Sequence, residues 1–113
     1  MARTEVTAQT ATRDGLSPSM TAATSDGHMF VNNGRRYVRI TNTSASPVTV
    51  TIPVGATVDG QTVSGRQISV PDTDGDVSTG FWPVAYNQPD GMVHVDYSAT
   101  SGVSVAVVEC PPV

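Results

Sequence analysis

Eighteen of the 113 residues are valine and 15 are threonine, while leucine occurs once, at Leu16, and glutamate twice, at Glu5 and Glu109. Valine and threonine branch at Cβ, which restricts χ1, suits a pleated surface and counts against helix. The residues that favour helices are largely missing. The expectation is an all-β chain, long enough for one domain around one core and too short for a two-domain enzyme.

Turn signals divide the chain from Gly27 onward into short segments of alternating polarity. His28–Val31 ends at Asn32-Asn33-Gly34. Arg35–Thr41 sets Arg36, Val38 and Ile40 on one face and Arg35, Tyr37 and Arg39 on the other. In Pro47–Pro53, Val48, Val50 and Ile52 point inward, and a proline at each end marks where the ladder stops. Thr57–Val63 turns at Asp59-Gly60, a pair suited to a tight hairpin. Gln67–Val70 is a further strand, closed by Pro71, and Asp72–Gly80 reads as a loop leading to Phe81-Trp82-Pro83. Met92–Ser98 and Val103–Cys110, joined by Ala99–Gly102, alternate as a hairpin packed on a core does. About seven short antiparallel strands fit two facing sheets, a single-domain β-sandwich or barrel over residues 27–113.

Residues 1–26 show no sustained period and are rich in threonine, alanine and serine. They read as an extended N-terminal arm, either frayed or ordered on a neighbouring subunit. The first 20 residues hold no apolar run, which points away from a signal peptide or membrane span and toward a protein made in a reducing cytosol. Cys110 is the only cysteine, so no intramolecular disulfide forms; whether it is buried or simply terminal stays open.

All six basic residues are arginine and lysine is absent, which excludes Schiff-base chemistry and a Walker-type phosphate loop. A net charge of −4 repels nucleic acid and anionic membranes over most of the surface. Asp72, Asp74 and Asp76 alternate as calcium ligands do, but the glycine falls before the third aspartate rather than after it. A solvated turn is the better reading, and cation binding stays undecided. His94, Asp96 and Ser98 share one strand face, but lie about 6.5 Å apart with no nucleophile elbow, so no catalytic residue is assigned. No cofactor or metal site is expected. Asn42-Thr43-Ser44 matches the N-glycosylation pattern, which carries no meaning without secretion. The basic, stackable stripe Arg35/Tyr37/Arg39 suits a protein interface. Phe81, Trp82 and Tyr86 gather half of the six aromatic residues and either close one end of the sandwich or form a binding platform.

Phe81-Trp82-Pro83, Tyr86-Asn87-Gln88-Pro89-Asp90-Gly91, Val93–Ser98 and the Val103–Val108 strand together resemble small virion proteins of tailed bacteriophages. Asp26-Gly27-His28, Asn33-Gly34-Arg35 and Val48–Pro53 fit the same type, so the likeness covers roughly residues 26–109. Members of that broad class include capsid decoration, or cement, proteins. The resemblance implies a β-rich, non-enzymatic subunit on the outer capsid surface of the virion, made in the host cytoplasm. Its partner would be the phage major capsid protein, and its form a homo-oligomer, commonly a trimer. Arg3, Glu5 and Val6 would add a strand to a neighbour's sheet edge, Arg35, Tyr37 and Arg39 would pair with capsid carboxylates, and Phe81 and Trp82 would be apolar anchors. The rival readings are a head–tail connector or tail-tube component, and a carbohydrate-binding sandwich with Trp82 and Tyr86 as its platform. An enzyme comes last.

Overall fold

A computed structural model describes residues 3–110. Three two-residue strands come first: β1 (Thr4–Glu5), β2 (Gln9–Thr10) and β3 (Thr21–Ala22). They are followed by β4 (His28–Val31), β5 (Arg36–Asn42), β6 (Val48–Ile52), β7 (Thr57–Val58), β8 (Gln61–Thr62) and β9 (Arg66–Val70). Last come β10 (Gly75–Thr79), one 3-10 turn at Val84–Tyr86, β11 (Met92–Tyr97) and β12 (Val103–Glu109). The chain is all-β, as its valine and threonine content requires.

Two sheets face each other. The first runs β1-β4-β11-β6-β9, and the second runs β10-β5-β12-β2 with β3 also on β12. Alternation is what turns one face of each strand inward. Val48, Val50 and Ile52 of β6 are buried while Thr49 and Thr51 are half-exposed, and Val38 and Ile40 of β5 are buried between half-exposed Tyr37, Arg39 and Thr41. Phe30, Val93 and Val95 from the first sheet meet Val103, Val105 and Val107 from the second in one core. The β7–β8 hairpin turns at Asp59 and Gly60, both with positive φ (52° and 75°), as a tight hairpin of this kind needs.

Three expectations are corrected. Asp72–Gly80 is not all loop: Gly75–Thr79 pairs antiparallel with β5 and forms the edge of the second sheet. β11 and β12 are not a hairpin. β11 pairs with β4 and β6, whereas β12 pairs with β5, so Ala99–Gly102 crosses from one sheet to the other. Residues 1–26 are not a detached arm over their described part. Thr4–Glu5 runs parallel to β4, Gln9–Thr10 runs parallel to the end of β12, and Thr21–Ala22 runs antiparallel to its start. The sandwich therefore contains two parallel pairings as well as its antiparallel ladders.

The early segment closes one whole side of the sandwich. Without it β4 and β12 would be the outer strands of their sheets, exposing unpaired backbone groups that invite aggregation. Between its two pairings the segment crosses from sheet to sheet, and at the crossing Val6 is 7% exposed and belongs to the core. The Val6 N–H donates to the Met29 carbonyl at 2.8 Å, and the Ala11 N–H donates to the Glu109 carbonyl at 2.9 Å. Arg3 forms an ion pair with Asp96 of β11 across Gly27, where a Cβ would collide with the guanidinium.

Burying one valine side chain contributes about 2 kcal/mol. Val6→Ala is therefore expected to lower the melting temperature by roughly 8 °C, and Leu16→Ala, in the exposed part of the same segment, by far less. Thermal unfolding followed by circular dichroism checks this; equal melting of Val6→Ala and the parent chain would remove Val6 from the core's account.

Candidate functional site

The end of the sandwich where β10 finishes carries the most exposed aromatic surface. After Thr79 the chain passes through Gly80 to Phe81, Trp82 and Pro83. A Cβ at Gly80 would collide with the Cβ of Tyr37, so only glycine lets the segment pass this close to β5. Trp82 turns inward, 4% exposed, and packs edge-to-face on Tyr86 with ring centroids 5.0 Å apart and an interplanar angle of 69°. Asn32 fixes this corner by donating to the Trp82 carbonyl and the Asn87 side-chain oxygen, both at 2.9 Å. Phe81 turns outward, 53% exposed, and meets Tyr37 edge-to-face at 6.4 Å.

Phe81 is shared by two open clefts. One, of about 300 Å³, is lined by Tyr37, Ser78, Thr79, Gly80 and Phe81. The other, of about 330 Å³, lies between Arg66, Thr79 and Trp82, with the Arg66 Nε donating to the Tyr86 hydroxyl at 3.3 Å. Both border β10, whose side away from β5 has no strand beside it in the second sheet. An exposed aromatic ring next to unpaired backbone groups is a surface able to take an extended segment of another chain. It offers hydrogen-bonding groups and one apolar contact, and no nucleophile paired with a base.

The other residues singled out from sequence are placed as follows. Tyr37 and Arg39 share one face of β5 and Arg35 lies just before that strand, but Arg39 is engaged: its Nε and Nη2 bond both oxygens of Asp76 at 2.9 and 2.6 Å. This pairing holds the Asp76 carboxyl below its ordinary range and engages both of its oxygens with the Arg39 guanidinium. Arg35 is exposed and has no ion-pair partner among the described residues. Arg36 pairs with Glu109 at 2.9 Å, which lowers the Glu109 carboxyl together with the Asn33 amide. Trp82 is enclosed and cannot be an external anchor; Phe81 alone of that pair is exposed. Arg3 and Val6 hold the early segment to its own domain, and Glu5 is exposed beside them.

The row His94, Asp96, Ser98 separates into three unrelated pairings. His94 bonds Asp90 at 2.8 Å, Asp96 bonds Arg3, and Ser98 Oγ accepts from the Thr49 N–H at 2.9 Å. Asn42 is fully buried: its amide donates to Ser46 and accepts from Ser44, so it is closed to glycosylation. Among the described residues no three His, Cys, Asp or Glu side chains gather as a metal site would require. Cys110 is partly buried, its N–H donating to the Arg35 carbonyl at 2.9 Å.

Sequence reading missed the pair at the opposite end of the sandwich. His28 is 1% exposed, and its Nδ1 lies 2.7 Å from the Tyr97 hydroxyl, while Nε2 has no hydrogen-bond partner among the described residues. Burial lowers the His28 pKa and, with Asp96 adding repulsion, raises that of Tyr97, so the pair is neutral on both sides. Alternation along His28–Val31 carried the signal, because His28 falls on the same face as Phe30.

No family model, no curated protein and no solved structure matches this chain.

The buried histidine gives stability a definite pH dependence. Its folded pKa lies below the ordinary 6.5, so the unfolded chain binds the proton first. Stability is held above that value and falls as pH drops through it. The carboxyls of Asp76, Asp90 and Glu109 are also lowered, but their contributions persist until pH falls below about 4. Denaturant midpoints should therefore decline between about pH 7 and about pH 5, and His28→Phe should flatten that decline. A profile unchanged by the substitution would assign the dependence elsewhere.

Proposed function

We propose that this chain is a non-enzymatic structural protein of the phage head decoration type, attached in many copies to the outer surface of a capsid. The observation that carries the reading is the exposed Phe81 beside the uncovered edge of β10. Attachment needs surface rather than reacting groups, and this corner supplies backbone donors and acceptors, an aromatic ring and the neighbouring Tyr37. The likeness of Phe81–Pro83, Tyr86–Gly91 and Val93–Ser98 to small virion proteins supports the same reading. The major capsid protein is the partner, and an extended segment of it pairing with β10 is the mode of contact. Each such contact is weak alone, and repetition over a shell, with self-association of the chain into trimers, makes retention strong.

A carbohydrate-binding role finds less support. Such a role needs Trp82 and Tyr86 as an open platform, whereas these rings meet edge-to-face with Trp82 enclosed. A connector or tail-tube ring differs from decoration in copy number, and quantitative mass spectrometry of purified particles separates them: decoration requires many copies per particle, and a single ring's worth contradicts it.

Two substitutions test the surface itself. Phe81→Asp removes the exposed ring, and Ser78→Lys places a charge on the exposed strand edge, a device that blocks edge pairing. Both are expected to leave thermal unfolding within about 1 kcal/mol of the parent chain, because Phe81 is half-exposed and Ser78 is exposed. Both should lower capsid occupancy by roughly tenfold or more. Full occupancy by two folded variants would overturn the proposal.

A further inference from the structure

We infer that the seam between β4 and β12 is a docking groove that accepts residues 3–11 from a second copy of this chain as readily as from its own. Copies are then joined by exchanging this segment. The groove is built as a peptide site. The segment enters extended, pairs parallel with β4 through Thr4 and Glu5, places Val6 in the core, and pairs parallel with β12 through Gln9 and Thr10. Arg3 reaches Asp96, and the N–H groups of Val6 and Ala11 find the carbonyls of Met29 and Glu109. None of these contacts needs the segment to be continuous with the body it docks on.

The connection to the body has length to spare. Thr10 stands opposite Glu109 and Thr21 opposite Val105, four residues apart along β12. That distance is about 13 Å. Ten residues, 11–20, cover it, and extended they would reach about 33 Å. The surplus is taken up by a turn in which the Gly15 N–H donates to the Thr12 carbonyl at 3.0 Å, and by two 2.8 Å hydrogen bonds between Gln9 and Ser19. Most of these residues are exposed, so opening them uncovers little apolar surface.

A second copy is the occupant because the groove is complementary to this particular segment: a carboxylate set for Arg3 and a core vacancy the size of valine. Exchange reproduces the contacts of residues 3–11 with β4, β11 and β12 and opens only the exposed connection 11–20, so it is governed by concentration. Dilute chains close on themselves, and crowded chains trade segments. This holds whatever the β10 corner binds.

Glu5 and Met29 stand opposite each other in register, which permits a test on the full chain. In a Cys110→Ser background, chains carrying Glu5→Cys alone and Met29→Cys alone are mixed at high concentration, incubated and oxidised. Exchange holds the two cysteines side by side, whereas chance encounter joins them only at a background level. The mixed dimer should be roughly tenfold more abundant than that formed by Glu5→Cys with a Ser64→Cys control, through local concentration. A chain carrying both Glu5→Cys and Met29→Cys should close internally as a monomer, which proves the pair well placed. An internal bond in that chain with no excess of mixed dimer would overturn the inference, as would failure of the internal bond itself.

Discussion

Val6 sits where two sheets would otherwise part. A sandwich of short strands has two open sides as well as two faces, and each side exposes a pair of strand edges with a gap between them. Here one side is closed by a single extended segment that hydrogen-bonds to both edges and fills the gap with one branched side chain. The placement of the whole segment follows from that burial, since the pairings on either side are only two residues long and would not hold alone.

Closing one side leaves the other, with the edge of β10, as the open side of the sandwich. The edge of β10 meets the outside with Asp76 neutralised by Arg39, no lysine to repel a neighbouring strand, and Phe81 exposed just beyond its end. The two ends of the sandwich differ too. One is closed by Trp82 on Tyr86, the other by the neutral His28–Tyr97 pair. The core is thus set apart from the exposed Phe81 corner, which is where the proposed function puts attachment.

Much of this was legible in the sequence, for reasons specific to each element. β5, β6 and β9 declared themselves because alternation is a local property and prolines or glycines bounded it. The aromatic corner was visible as a concentration of rare residues, although which ring faces inward was not, since that depends on the close pass of Gly80 over Tyr37. β10 was hidden: Gly75-Asp76-Val77-Ser78-Thr79 has one apolar residue and follows an Asp-rich turn, and an edge strand needs no more than that. β11 and β12 alternate correctly but belong to different sheets, because a five-residue connection serves an arch between sheets as well as a hairpin within one. The early segment left no period at all. Parallel pairings of two residues, made to strands far along the chain, write nothing into local sequence.

Hydrogen–deuterium exchange, read strand by strand on the free chain and on the chain mixed with the capsid surface proposed as its partner, tests the central claim most directly. The account predicts that β4 and β12 are protected in both states, while alternate amides of β10 exchange rapidly when free and become protected on attachment. Rapid exchange along β4 and β12 in the free chain, or β10 amides indifferent to attachment, would contradict it.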